Sequence, residues 1–261
     1  MIDKDQLGRS QGEFVNAVKD VPMVGGGFRL RKHSDGLPTL ECLSFEALIR
    51  AVGFYKYRSR GLVLLRGQGA CTKSLLPTLY RSPPAGVDFD RLLDDFLDHY
   101  RAAVGVDLAD TQRVTTEALL QHYGLRTRWL DVVDSVPHAL FFAAHDYVDS
   151  PAKPGMKTYI PSVAEWSYVY LIELSDLEPW VSPDSGVRAP GIWWSASRAR
   201  VCDLRQAKPS HALRPHAQHG MLVRPPPGRP SLCDHVVARL AVRVREARTW
   251  LGNGFCTCRE G

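Results

Sequence analysis

A chain of 261 residues, 44% hydrophobic and 23% charged, has the balance of a globular protein and room for one large domain or two small ones. No window approaches 18 uninterrupted apolar residues, and the start, MIDKDQLGRSQGEF, has no apolar run. A membrane span and a secretory signal are therefore not expected, and the chain reads as cytoplasmic. The formal net charge is +5, and arginines recur between residues 188 and 248, which suits either an anionic partner or a solvated basic face.

Cys42, Cys71, Cys202, Cys233, Cys256 and Cys258 are scattered, without the paired spacing of a zinc site. They read as reduced thiols, and no metal is expected.

In chain order, residues 1–39 are a polar lead-in containing Gly25-Gly26-Gly27, with a short alternating strand at residues 28–31. Residues 43–52 have helical spacing behind Ser44 as a cap. Residues 61–65 are a short apolar run, the best buried strand, and it empties into Arg66-Gly67-Gln68-Gly69. An arginine between glycines at a strand's rim serves either a ligand that approaches the backbone closely or a turn whose side chain reaches water. Phe89, Leu92, Leu93, Phe96, Leu97 and Tyr100 fall on one helical face and read as core. A helix is expected over residues 117–123, stopped by Gly124, and another after Ser135-Val136-Pro137. Residues 150–163 read as loop, 166–174 as strand, 179–197 as a long irregular stretch, 220–223 and 235–245 as strands, and the tail after Trp250 as disordered.

The densest polar stretch lies between two apolar helical segments: Gln121, His122, Tyr123, Arg126, Thr127, Arg128, Trp129 and Asp131. Buried polar groups left unmatched cost about 1–3 kcal/mol each, so the cluster is either a satisfied network or a binding site. His122 fits a core histidine or a ligand contact, and Thr127, Arg128 and Asp131 fit either a buried ion pair or a pocket wall. His138 and His145 read as structural. Arginine suits bidentate contact with phosphate, and tyrosine and tryptophan suit stacking on a heteroaromatic ring.

LLRGQ at 64–68, SLLPTLYR at 74–81, LLDDF at 92–96, QHYGLRTRWLD at 121–131, PHALFFAA at 137–144 and AQHG at 217–220 resemble the successive motifs of the FRG domain. The pattern is departed from at Leu65, Arg126 and Val132. The family's plan is in turn similar to that of ADP-ribosyltransferases, an analogy at the level of the fold. It implies one α/β (α+β) domain over residues 40–250, with a split, mostly antiparallel sheet flanked by helices and a flexible tail at 251–261.

The analogy also implies NAD as co-substrate. Arg66, with Gly67 and Gln68, would hold the pyrophosphate. Gln121, His122, Tyr123, Thr127 and Arg128 would shape the nicotinamide and ribose pocket. Asp131, His122 and Gln218 would assist transfer, with Glu117 and Glu173 as further carboxylates. Arg198, Arg200 and Arg214 would meet a nucleic-acid acceptor, DNA bases above all. A toxin or anti-phage role follows by analogy, with an antitoxin or antagonist protein as partner. The alternatives are protein ADP-ribosylation, NAD hydrolysis, and a non-catalytic module that binds a nucleotide or nucleic acid.

Overall fold

The computed structural model describes residues 27–32, 38–72, 74–81, 86–104, 110–122, 124–150, 157–181, 186–207 and 219–252. The lead-in before residue 27, the end of the tail, Tyr123, Arg214 and Gln218 lie outside them. The fold is α+β. Its strands form two five-stranded sheets and a two-stranded hairpin, and the chain divides into two compact units.

The first unit comprises residues 1–73, 134–173 and 234–261. Its sheet has the order β1-β2-β12-β7-β3, built from β1 (Phe28–Lys32), β2 (Pro38–Cys42), β12 (Val236–Arg243), β7 (Trp166–Leu174) and β3 (Leu62–Gln68). β1 and β2 are antiparallel, as are β12 and β7, whereas β2 and β12 run parallel. Helix α1 (Phe45–Arg58) starts where Ser44 Oγ accepts the Ala47 N–H at 3.1 Å, as the cap rule requires. Helix α4 (Val136–Ala144) starts behind Ser135 with Pro137 in its first turn, and a last helix, α6 (Val244–Gly252), follows β12 directly.

The expected rim position of Arg66 is corrected. β3 runs on to Gln68, so Arg66 and Gly67 lie within the strand. Residues 157–161, read as loop, form β6 (Lys157–Pro161), a hairpin partner of β5 (His145–Asp149). Tyr147 of β5 meets Tyr159 of β6 at a ring separation of 4.8 Å.

The second unit comprises residues 74–133 and 174–233. Its sheet, β4-β11-β10-β9-β8, is antiparallel throughout. The strands are β4 (Leu130–Val132), β11 (Met221–Arg224), β10 (Arg200–Asp203), β9 (Arg188–Trp194) and β8 (Glu178–Val181). The stretch 179–197, expected to be irregular, is thus largely the β8–β9 hairpin. Helix α3 (Asp110–His122) begins earlier than expected and ends as foreseen at Gly124, whose φ of 96° only glycine adopts readily. Val114 and Ala118 of α3 pack on Ile192, Cys202 and Leu222 of the sheet, around the fully buried Trp129. Helix α2 (Phe89–Val104) buries only Leu93 and Leu97 of its apolar stripe, and Leu92, Phe96 and Tyr100 are exposed. The short helix α5 (Leu204–Ala207) follows β10.

Candidate functional site

Alternation along a strand sends successive side chains to opposite faces, and in the first unit this separates two chemistries. A Cβ added at Gly67 would lie 1.9 Å from Ala139 O and 2.8 Å from Ala143 N of α4. Gly67 therefore faces the helices, as do Leu40, Cys42, Val169, Leu171, Leu240 and Val242, all buried. The expectation that Gly67 admits a ligand is corrected: the backbone of α4 takes that space.

Arg66 and Gln68 point to the other face. Gln68 Nε2 donates to Thr72 Oγ1 at 3.1 Å, and the Thr72 N–H donates to the Tyr170 hydroxyl at 3.1 Å. Register then places Arg239 opposite Tyr170 and Arg243 opposite Trp166. Farther across, Arg29 faces Glu41 and Arg31 faces Thr39. Arg239, 1% exposed, donates to Thr39 Oγ1 at 2.6 Å. Arg31 and Arg243 sit over the Trp166 ring at 4.1 and 4.7 Å from its centroid. Hence one face of this sheet is apolar and covered by helices, while the other gathers arginines and aromatic rings. Arg66 is half-buried on the edge strand of that second face.

In the second unit the polar cluster is a network. Arg128 is 7% exposed. Its backbone N–H and Nε donate to Glu117 Oε1 at 3.0 and 3.3 Å, and its Nη2 donates to Asp94 Oδ1 at 2.5 Å. Asp90 adds a third carboxylate, 3.6 Å from Nη1. Burial alone would lower the guanidinium pKa, but the Asp94 bond and the charges of Glu117, Asp94 and Asp90 outweigh it and raise it. Burial likewise pushes the Asp94 carboxyl up, and the bonds and charges of Arg128 and Arg113 override it and hold it below its ordinary value.

Thr127, fully buried, donates its hydroxyl to Gln121 Oε1. Its backbone N–H donates to Thr78 Oγ1 at 3.3 Å, and its carbonyl accepts the Leu79 N–H at 3.2 Å. The Tyr80 hydroxyl donates to Asp90 at 3.0 Å, and burial followed by the Asp90 charge pushes its pKa up to about 12. Three motif segments, 74–81, 92–96 and 121–131, are thus tied together by Thr78, Asp94, Thr127 and Arg128, and Tyr80 reaches Asp90 on the same helix as Asp94. The pocket roles given to Gln121, Thr127 and Arg128 meet a network in which these groups already serve one another.

Asp131, the leading carboxylate, is exposed on β4 and faces Leu222 across the ladder, rather than closing on Arg128. Of the other carboxylates, Glu117 holds Arg128, and Glu173 accepts the Ser59 hydroxyl at 2.6 Å. His122 ends α3, and its side chain lies outside the described part. His219 has a φ of 51° and meets Arg205 Nη1 at 3.2 Å, while Arg205 grips the buried Asp203 at 2.8 Å. His138 Nδ1 bonds Ser135 Oγ at 2.9 Å, and His145 Nδ1–H donates to Phe141 O at 2.8 Å. Both are local structural contacts. Sequence reasoning named Glu117 as a further carboxylate but not as the partner of Arg128, and quoted Asp94 only within LLDDF. Acids at spacing i and i+4 on α2 (Asp90, Asp94) were the available signal for the rest.

Among the described residues no helix is long and apolar enough to cross a membrane. Residues 62–151 match the model of the FRG domain. No curated protein and no solved structure matches the chain.

Proposed function

Because the chain carries an FRG domain, we propose that it is an NAD-consuming ADP-ribosyltransferase that modifies nucleic acid, DNA bases foremost. The observation that carries the reading is the polar face of the first unit's sheet. There strand alternation puts Arg66 on the face that carries Trp166 and Arg243, with Tyr170 and Arg239 buried on the same side. A dinucleotide offers two phosphates and two heteroaromatic rings, and guanidinium groups and aromatic side chains suit both. The α4 backbone closing on Gly67 holds the strand from which Arg66 extends.

In this reading Arg66 binds the pyrophosphate. The nicotinamide–ribose bond would break with nicotinamide as leaving group, and a nucleophilic atom of the acceptor base would bond to the same ribose carbon and give up its proton; a carboxylate or fixed dipole would stabilise the oxocarbenium-like state between. By analogy, the role proposed with this activity is that of a toxin or an anti-phage defence enzyme, with an antagonist protein as partner.

Incubation with NAD, with and without DNA, tests the reading through free nicotinamide. Release is expected, with loss of release in Arg66→Ala. A second reading, a non-catalytic module for a nucleotide or nucleic acid, is favoured by the engagement of Arg128 and the exposure of Asp131. Binding without nicotinamide release under any acceptor would move the conclusion there.

A further inference from the structure

The β9–β10–β11 ladder sets Trp194 opposite Arg200 and Arg200 opposite Arg224. Directly opposed residues of antiparallel neighbours present their side chains on the same face, about 5 Å apart at Cβ, and like charges so placed are destabilising. The Arg200 guanidinium lies over the Trp194 ring, 4.1 Å from its centroid. Arg224 reaches Glu117 Oε2 only at 3.9 Å, while the other oxygen of that carboxylate holds Arg128. The row thus sets two guanidinium groups in register beside an indole, with Glu178 on the indole's other side.

A separate observation lies at the turn between β9 and β10. Arg198 has a φ of 65°, a left-handed backbone in which a side chain is strained and glycine or asparagine is usual. The turn is held by its own bonds. The Arg198 N–H donates to Ser195 O at 2.8 Å, the Ser195 N–H to Ala199 O at 2.9 Å, and the Ala199 N–H to Ser195 Oγ at 3.1 Å. The side chain of Arg198 itself is exposed, so packing does not explain its presence there. Strain kept at an exposed charged residue points to use.

We propose that this edge of the second unit binds single-stranded nucleic acid. One phosphate lies between Arg200 and Arg224, a neighbouring phosphate meets Arg198, and a base stacks beside the Trp194–Arg200 pair. A strand that alternates phosphate and ring matches a surface that alternates guanidinium and indole, whereas a duplex keeps its rings stacked inside. As a statement about the acceptor this rests on the transferase reading; as a binding site it stands without NAD.

The test uses the full chain without NAD and a labelled mixed-sequence single-stranded oligodeoxynucleotide, with anisotropy followed over a salt titration. Arg198→Gly is the discriminating variant, because glycine relieves the backbone at φ 65°. Its Tm is expected to hold or rise while affinity falls several-fold and the salt slope drops by about 0.7 for the lost phosphate contact. Arg200→Gln is expected to weaken binding further. Unchanged affinity and slope in both variants would overturn the site, as would equal or tighter binding of the matching duplex. Nicotinamide release is a separate readout: release without strand binding removes this site and leaves the transferase, and strand binding without release does the reverse.

Discussion

Arg66 and Arg128 belong to two motifs of one resemblance, and their two units surround them in opposite ways. Arg128 is buried and closed upon by Glu117, Asp94 and Asp90 from two helices of its own unit. Arg66 is half-buried on an edge strand whose neighbouring residue, Gly67, is the one held fast. A motif arginine is thus a ligand contact only after the carboxylates of its own surroundings have been counted. In the second unit the count closes, and the motif explains itself as the joint of three chain segments. In the first unit packing explains the motif glycine, and the proposal gives the arginine beside it the task of recognition.

The comparison breaks most sharply at Arg128. Arg128→Met leaves Glu117, itself 3% exposed, as a buried charge without its main partner, and should cost about 3–5 kcal/mol in denaturant unfolding. Adding Glu117→Gln should return part of that loss. A cost under about 1 kcal/mol would reverse the assignment of the two arginines. Gly67→Ala comes next. Its Cβ would meet backbone atoms that no rotamer change can move, and a loss of about 3 kcal/mol is expected. An unchanged Tm would mean that α4 does not close on Gly67.

Arg66→Ala sharpens the other side: stability should shift by no more than about 1 kcal/mol, while nicotinamide release is lost. The smallest effect belongs to Asp94, a partly exposed carboxyl whose pair with Arg128 is discounted by solvent. Its folded pKa is depressed, so its contribution is present above the ordinary carboxylate value of about 4 and is lost as pH falls through the folded value. The gap in Tm between wild type and Asp94→Asn should therefore hold near neutrality and close in strong acid.

Much of the fold is legible in local pattern. The run at 166–174 is β7 with its expected bounds, Ser44 caps α1, and Gly124 stops α3. The β8–β9 hairpin is not legible, because Pro179, Pro190 and Gly191 punctuate it like a loop. Gly191, with a φ of 72°, is where the Ala207 backbone of α5 comes close, 2.8 Å from an added Cβ, and such a contact has no local signature. The polar cluster was legible as a cluster, but not its partners. Periodicity tells which face of α2 is apolar, while the choice of Arg128 by Asp94 is a tertiary fact. Gly67 shows the same limit: a bare glycine admits a ligand or a helix, and only the register decides.

The chain enters each unit more than once. β2 finds β12 with Leu40 beside Leu240, β3 borders β7, and β4 borders β11. The family match begins at β3 and ends just after β5. Excising residues 62–151 would strip β3 and β4 of those neighbours and yield two torn sheet edges, prone to aggregate rather than to fold. The recognisable stretch is therefore inseparable from what flanks it, and any activity must be sought in the intact polypeptide.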